Sequence, residues 1–513
     1  MKVKVATLIN SLLMLLISNA ALAQGPGPCP TANSTNVGQP NLSLSHDVIC
    51  TVPQVYGAGG LVGANNNGPL LPTNSNTFHH EVHFSESNLA NFAPLTAEIG
   101  TAISQLPLTS PASGYIFSFN PSLGVYARSA ENFGPILTER ADTVGKHKLF
   151  VGVSYQFFNF DKADGVNLHG FSAVFQHEHE GCPNVPGQPP IVTCIPDGKG
   201  GSVPEITKDH VITNNWINLK VHQVTAVATF GLTNHFDLSI AVPILNVRMD
   251  MTSDAHIVNL EFTDPTIVPA CCVHAFDPAH RVPGETLIGP GSTLSNPNPP
   301  PATFVYYDTA SFFRANSASG IGDIVFRGKY QVFKGEKLGV AVGGDVRIPT
   351  GDELNFLGSG ALGVRPFGTI SYSGRFSPRA SLGYQVNGHS VLAGNISDDT
   401  VGRLPNIFTY SFGADYGVST RISLSADFLG QTLFNAKEIA TTATTTLTAD
   451  GTVLKNQPGL RTSTGTSNQE SVAVGGKVSP FGRFIVTANV LFRVNDAGLH
   501  SKPVPLIGLS YTF

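Results

Sequence analysis

From residue 146 to the end of the chain, apolar and polar side chains alternate one by one over runs of ten or more residues. Only an extended strand presents a period of two as two distinct faces. In the run from Ile321 to Phe333, Ile324, Phe326, Gly328, Tyr330 and Val332 share one face, and Asp323, Val325, Arg327, Lys329 and Gln331 share the other. The next run sets Leu338, Val340, Val342, Val346 and Ile348 against Gly339, Ala341, Gly343, Asp345 and Arg347. Strands of soluble sandwiches are usually nearer five or six residues. These longer runs suit strands that show one face to lipid and the other to a polar lumen.

Twelve such runs are present: 146–161, 215–231, 235–250, 321–334, 337–350, 363–376, 378–388, 405–418, 420–433, 470–479, 482–494 and 503–513. Runs 215–231 and 235–250 change phase midway, near Gln223 and near Ile244 after Pro243, which predicts β-bulges. The connectors alternate in length. Short ones, such as Ser419-Thr420 and Gly335-Glu336, follow long ones at 162–214, 251–320, 351–362, 389–404, 434–469 and 495–502. Outer-membrane barrels pair short periplasmic turns with long external loops. The expected fold is therefore all-β: a closed, antiparallel, up-and-down transmembrane barrel over 141–513, in the outer membrane of a Gram-negative-type bacterium and in contact with its lipids.

The beginning of the chain agrees. Lys2 and Lys4, the apolar run Leu8 to Ile17 and Ala21-Leu22-Ala23 read as a secretory signal peptide over 1–23, too short to span a bilayer. Charged residues make up 13% of the chain, against about 25% in ordinary globular domains, as expected where alternate side chains face lipid. The net charge of −5 over 513 residues points to no nucleic-acid partner.

Residues 24–140 have a different character. The stretch 24–84 is rich in Asn, Gly, Pro, Ser and Thr without a sustained period. Leu89, Phe92, Leu95, Ile99, Ile103 and Leu106 then recur at helical spacing, predicting an amphipathic helix within 87–106 despite Pro94. Pieces at 115–119, 123–129 and 133–139 read as two further barrel strands, making fourteen, or as an inner hairpin. A helix and hairpin ahead of a barrel either plug its lumen or form a periplasmic tail.

Six cysteines, Cys29, Cys50, Cys182, Cys194, Cys271 and Cys272, fall in loop-like segments, and in an oxidising compartment they are disulfide candidates. Cys29–Cys50 and Cys182–Cys194 are the local pairs. The last strand ends on Phe513, which resembles the C-terminal signal that outer-membrane barrels present to their assembly machinery.

Gly320-Ile321-Gly322-Asp323-Ile324, Arg327-Gly328-Lys329-Tyr330, Arg347-Ile348-Pro349-Thr350-Gly351-Asp352-Glu353, Gly358-Ser359-Gly360 and Leu382-Gly383-Tyr384-Gln385 form a pattern. It resembles the outer-membrane transporter family named for the MetA pathway of phenol degradation, most clearly over 320–388. The resemblance implies a barrel transporter for small molecules, with hydrophobic or aromatic compounds as the expected solutes.

The candidate functional residues are charges on the inward face: Asp323, Arg327, Lys329, Asp345, Arg347, Arg365, Arg375, Arg379, Asp415, Asp427, Lys477 and Arg493. Facing lipid they would be costly, so the lumen is their place. Arg327 and Arg347 on adjacent strands can pair with Asp323 and Asp345 to brace the interior, or opposed charges can form a selectivity constriction. Asp352 and Glu353 are pore-mouth candidates, although Pro349 and Gly351 also suit a plain strand end and loop.

His177-Glu178-His179-Glu180 and His79-His80 with His83 have metal-ligand residue types without an evident further partner, and read as solvated loop histidines. No nucleophile elbow, His-Glu-x-x-His or P-loop is present, and His389-Ser390 is the nearest approach to a hydrolase pair. The expectation is a non-enzymatic channel without cofactor or metal. The alternative is adhesion through large disulfide-stapled external loops.

Overall fold

A computed structural model describes residues 43–49, 61–65, 68–70, 92–111, 114, 117–120, 125–128, 132–176, 194–196, 202–204, 210–258, 273–276, 284–295, 303–395, 400–447 and 453–513. The signal-peptide reading, the His177–Glu180 and His79–His83 groups and all the cysteines except the backbone of Cys194 lie outside the described residues, and the disulfide pairings with them.

Twelve staves close into one barrel. They are β1 (Leu149–Ala163), β2 (His210–Gly231), β3 (Phe236–Val258), β4 (Thr309–Ile321 and Ile324–Lys334), β5 (Leu338–Ile348), β6 (Gly363–Tyr372), β7 (Phe376–Asn387), β8 (Asn406–Ser419), β9 (Ile422–Leu447), β10 (Val453–Val478), β11 (Phe484–Arg493) and β12 (Val504–Thr512). Each pairs antiparallel with the next. The seam joins β12 to β1, Leu506 opposite Gln156 and Thr512 opposite Phe150. Closure leaves no sheet edge, the one way a sheet can satisfy its backbone inside a bilayer.

The faces are those the period predicts. Val153, Phe326, Tyr330, Val342, Val346, Ile370, Leu382, Phe412, Leu424, Val474, Ile507 and Leu509 are exposed on the outside, whereas Ser154, Gln156, Lys329, Gln331, Asp345, Thr369, Arg379, Asp427 and Lys477 are buried within. An apolar outer wall around a polar interior is an outer-membrane architecture. Tyr372, Phe376, Tyr416, Phe481, Tyr511 and Phe513 are exposed at the end bearing the short turns, where amphipathic rings sit at a membrane–water interface.

The predicted β-bulges in β2 and β3 are absent. Their pairing runs without a register shift from His210↔Val258 to Gly231↔Asp237, and odd-numbered residues stay inward throughout. The two faces instead exchange chemistry. Below the paired residues Val224 and Ile244, the outer face is apolar and the inner face mixes Thr225, Thr229, Asp237 and Ser239 with smaller apolar residues. Above them the outer face carries Asn218, Lys220, Arg248 and Asp250, while the inner face carries Leu219, Val221, Val247 and Met249. Because Val224 and Ile244 stand opposite each other, both switches mark one level, the external edge of the lipid. The irregularity opposite Pro243 lies in β4, whose two halves part at Gly322-Asp323, with the Gly322 N–H on the Pro243 carbonyl at 2.8 Å.

Beyond that edge the wall continues into water. The described parts of 434–469 and 251–320, expected as loops, are largely strand: β9 and β10 form a hairpin of 26 residues each, and β3 runs to Val258 against Thr309–Ile321. The short pieces Phe117–Asn120 and Val125–Arg128 pair only with each other, so among the described residues the barrel has twelve strands and not fourteen.

The expected helix is α1, Phe92–Ser104. Pro94 lies in its first turn, where a missing N–H costs no helical hydrogen bond. Phe92, Leu95, Ile99 and Ile103 are buried and join a core with Leu219, Val221, Val247 and Met249 from the wall and Leu354, Phe356 and Leu357 from the loop after β5. This core is the reason the inner face turns apolar above the membrane: it packs around a helix and not around water.

Candidate functional site

Below α1 the chain descends inside the barrel. The carbonyls of Pro107 and Pro111 accept from Gln223 and Thr229 on β2, and Thr109 bonds Ser154 on β1. Residues 132–144 then circle the lumen near the short-turn end. Phe133 N–H donates to Ser423, Ala141 N–H to Ser371 and Val144 N–H to Asp237. The Lys477 ammonium is ringed by the carbonyls of Phe133, Gly134 and Pro135 at 3.3, 2.9 and 2.6 Å. Strand periodicity cannot foresee this, since the partner belongs to a segment without period.

The inward charges gather into three groups. In the first, Arg327 grips Asp345 with two bonds of 2.6 and 2.9 Å, and Arg365 binds the same carboxylate from the other side. Arg327 also binds Glu139 of the inner segment, and Lys329 reaches Glu139 at 3.2 Å and the carbonyls of Arg140 and Asp142 at 3.0 and 2.8 Å. In the second, Arg379 stands between Asp415 at 2.7 Å and Asp427 at 2.5 Å, while Thr138 of the inner segment bonds both Arg379 and Asp427. The third holds Asp323, which accepts from the Ser359 N–H and hydroxyl at 2.9 and 2.5 Å and faces Arg347 at 3.6 Å.

The structure thus brings Asp323, Arg327, Lys329, Asp345, Arg347, Arg365, Asp415 and Asp427 to the interior. Arg375 is a correction. It lies in the short turn after β6, its guanidinium on the carbonyls of Gly417 and Val418 and 5.3 Å from the Tyr416 ring, because alternation breaks where the strand ends. Asp352 caps a single 3₁₀ turn, Glu353–Asn355, accepting from the N–H groups of Leu354 and Asn355, and Glu353 is the first residue of that turn. The Gly-Asp and Pro-Thr-Gly-Asp motifs form one clamp. Thr350 bonds the Gly322 carbonyl at 2.6 Å, and Asp323 holds Gly351 and Ser359. A Cβ on Gly358 would lie 2.4 Å from Asp323 Oδ1, so glycine is required there. The clamp folds Leu354, Phe356 and Leu357 inward over α1. Ser390 accepts from Leu392 N–H at 3.1 Å, a turn contact.

Glu139, Thr138 and Glu98 were not legible as site residues; the only signal was Glu139-Arg140 with Asp142 just ahead of the first strand. Glu98 on α1 is buried. Burial, then the nearby carboxylates Asp164 and Glu438, hold its carboxyl well above the ordinary glutamate range. A raised carboxyl stabilises the packed state while protonated, and that contribution is lost as pH rises from the unfolded group's range through the folded one. Amides of residues 99–104 are therefore expected to exchange faster as pH rises, after correction for intrinsic rates. Glu98→Gln is expected to abolish that dependence, and an unchanged profile in the variant would remove Glu98 from the account.

Between α1 above and residues 137–139 below lies a cavity of about 310 Å³, bordered by Arg327, Asp345, Arg347, Arg365, Arg493 and Glu139 among others.

No curated protein matches this chain. Among solved structures, an outer membrane channel from Pseudomonas putida F1 is 9% identical with a TM-score of 0.38, covering 74% of this chain and 100% of that one. The P. putida toluene transporter TodX is 9% identical with a TM-score of 0.27, covering 71% and 89%. The Ralstonia pickettii toluene transporter TbuX is 10% identical with a TM-score of 0.25, covering 80% and 99%. Residues 219–453, from within β2 to the start of β10, match the model of the family described as putative MetA-pathway of phenol degradation, the family that the motifs over 320–388 resemble.

Proposed function

We propose that this chain is an outer-membrane channel that passes small molecules, in which residues 24–140 act as a plug inside a barrel formed by 141–513. The observation that carries the reading is the direction of the ion pairs. The lumen charges do not only brace wall to wall; Arg327, Lys329, Arg379 and Lys477 reach the inner segment, which occupies the path a solute would take. The solutes named for the two toluene transporters suggest hydrophobic or aromatic compounds here too. Transport and not catalysis is supported by the interior carboxylates, since Asp345, Asp415 and Asp427 are engaged by arginines. Phe513, exposed at the short-turn rim, supports a contact with the barrel assembly machinery.

The test is reconstitution into planar bilayers and liposomes with and without residues 24–140. Removal of a plug is expected to raise conductance and solute flux severalfold, whereas removal of a tail leaves both unchanged. Absence of flux in either form would instead favour adhesion through the external loops.

A further inference from the structure

The charges around the cavity do not balance. Arg327, Arg365 and Lys329 share two carboxylates, Asp345 and Glu139. Arg347 is matched by Asp323. Arg493, the last residue of β11, also points inward and borders the cavity. Its Nη2 donates to the Ala497 carbonyl at 2.5 Å, its Nε is buried without a hydrogen-bond partner, and no carboxylate of the described residues forms an ion pair with it. Among the described residues, the cavity rim therefore carries an excess of two positive charges. A buried charge without a partner is costly, and an arginine fork is shaped to receive a carboxylate.

Apolar side chains share the lining with these charges. Leu106 and Leu137 of the inner segment, Phe158 of β1, Leu429 of β9 and Leu491 of β11 border the same space. Ligand cavities of this size typically combine apolar walls with a few polar groups that fix orientation. Resting on the channel reading above, we propose that the cavity binds a small organic monocarboxylate, its carboxylate on Arg493 and its apolar body against these leucines and Phe158. The site makes an amphipathic anion the solute held between helix and inner segment.

The experiment uses the full chain in lipid nanodiscs, titrated calorimetrically with 4-phenylbutyrate and, separately, with its uncharged analogue 4-phenylbutanamide. The acid is expected to bind about tenfold or more tighter, the usual scale for hydrogen bonds to a charged group. Arg493→Gln should lose that preference and Arg493→Lys, which keeps the charge, should retain most of it. Equal binding of acid and amide by the unaltered protein, or no saturable binding of the acid, overturns the proposal, and neither result depends on a variant folding. Liposome flux separates the two readings. Amide flux without acid preference leaves the channel standing and removes the anion site, whereas acid preference at equilibrium without flux of either solute supports the site and counts against the channel.

Discussion

Glu139→Ala should turn a closed barrel into one that opens often and widely in planar bilayers. In the native protein this carboxylate meets both Arg327 and Lys329, and it is the negative charge that the inner segment offers to that face of the wall. Without it, Arg327, Lys329 and Arg365 have Asp345 alone between them, and the inner segment presents only carbonyls to Lys329. Removing one partner of a buried ion pair costs about 3–5 kcal/mol. At roughly 1.4 kcal/mol per tenfold, the undocked population should rise by about two orders of magnitude or more. Single-channel recordings should show larger and longer openings, with Glu139→Gln in between because its amide oxygen still accepts from Lys329. Recordings indistinguishable from the unaltered protein would mean that the segment is held elsewhere and that this pair only neutralises charge.

Arg379→Met is expected to have its main effect on stability. The guanidinium is 2% exposed and stands between two carboxylates at 2.7 and 2.5 Å. Its loss leaves Asp415 and Asp427 buried on adjacent strands with like charge, again a cost of about 3–5 kcal/mol. The denaturant midpoint of the lipid-reconstituted barrel should fall accordingly. Combining Arg379→Met with Asp415→Asn and Asp427→Asn should recover most of the loss, because the uncompensated charges are then gone as well. If the triple variant is no better than the single one, the cost lies in packing against Thr138 and not in electrostatics.

The barrel was legible because strand geometry writes itself into the sequence one residue at a time, and because turn lengths alternate independently of that pattern. Reading stopped where the environment changed without a change of geometry. In β2 and β3 the inward face passes from Gln223 and Ser239 to Leu219 and Val247 with no break in register, so the shift of hydrophobic phase imitated a bulge. The hairpin of β9 and β10 above the lipid was missed because small and polar residues, as at Thr441, Thr442, Arg461 and Ser463, fill both phases of its sequence and leave little periodic contrast. Most inward charges of the wall were legible residue by residue, but Arg375 proved to lie in a turn and Asp237 on β3, which holds the Val144 N–H, was missed. The partners of these charges were not legible, since Arg327 and Glu139 are 188 positions apart and nothing local connects them.

The place of the seam has a consequence for how the molecule is made. The first stave follows directly on the inner segment, and the seam pairs it with the final stave, whose residues are the last of this sequence. The contacts along that line span almost the whole length of the barrel sequence, and such distant pairings form late because chain entropy must be given up before they yield any return. Residues 132–144 are covalently continuous with β1 and hydrogen-bonded to β6, β9 and β10. Once the cylinder is shut, they reach those positions only by being drawn in through an end. Assembly in which the growing sheet curls around an already captured strand of polypeptide avoids that step, and makes Lys477 and Arg379 organisers of closure as well as occupants of the finished interior.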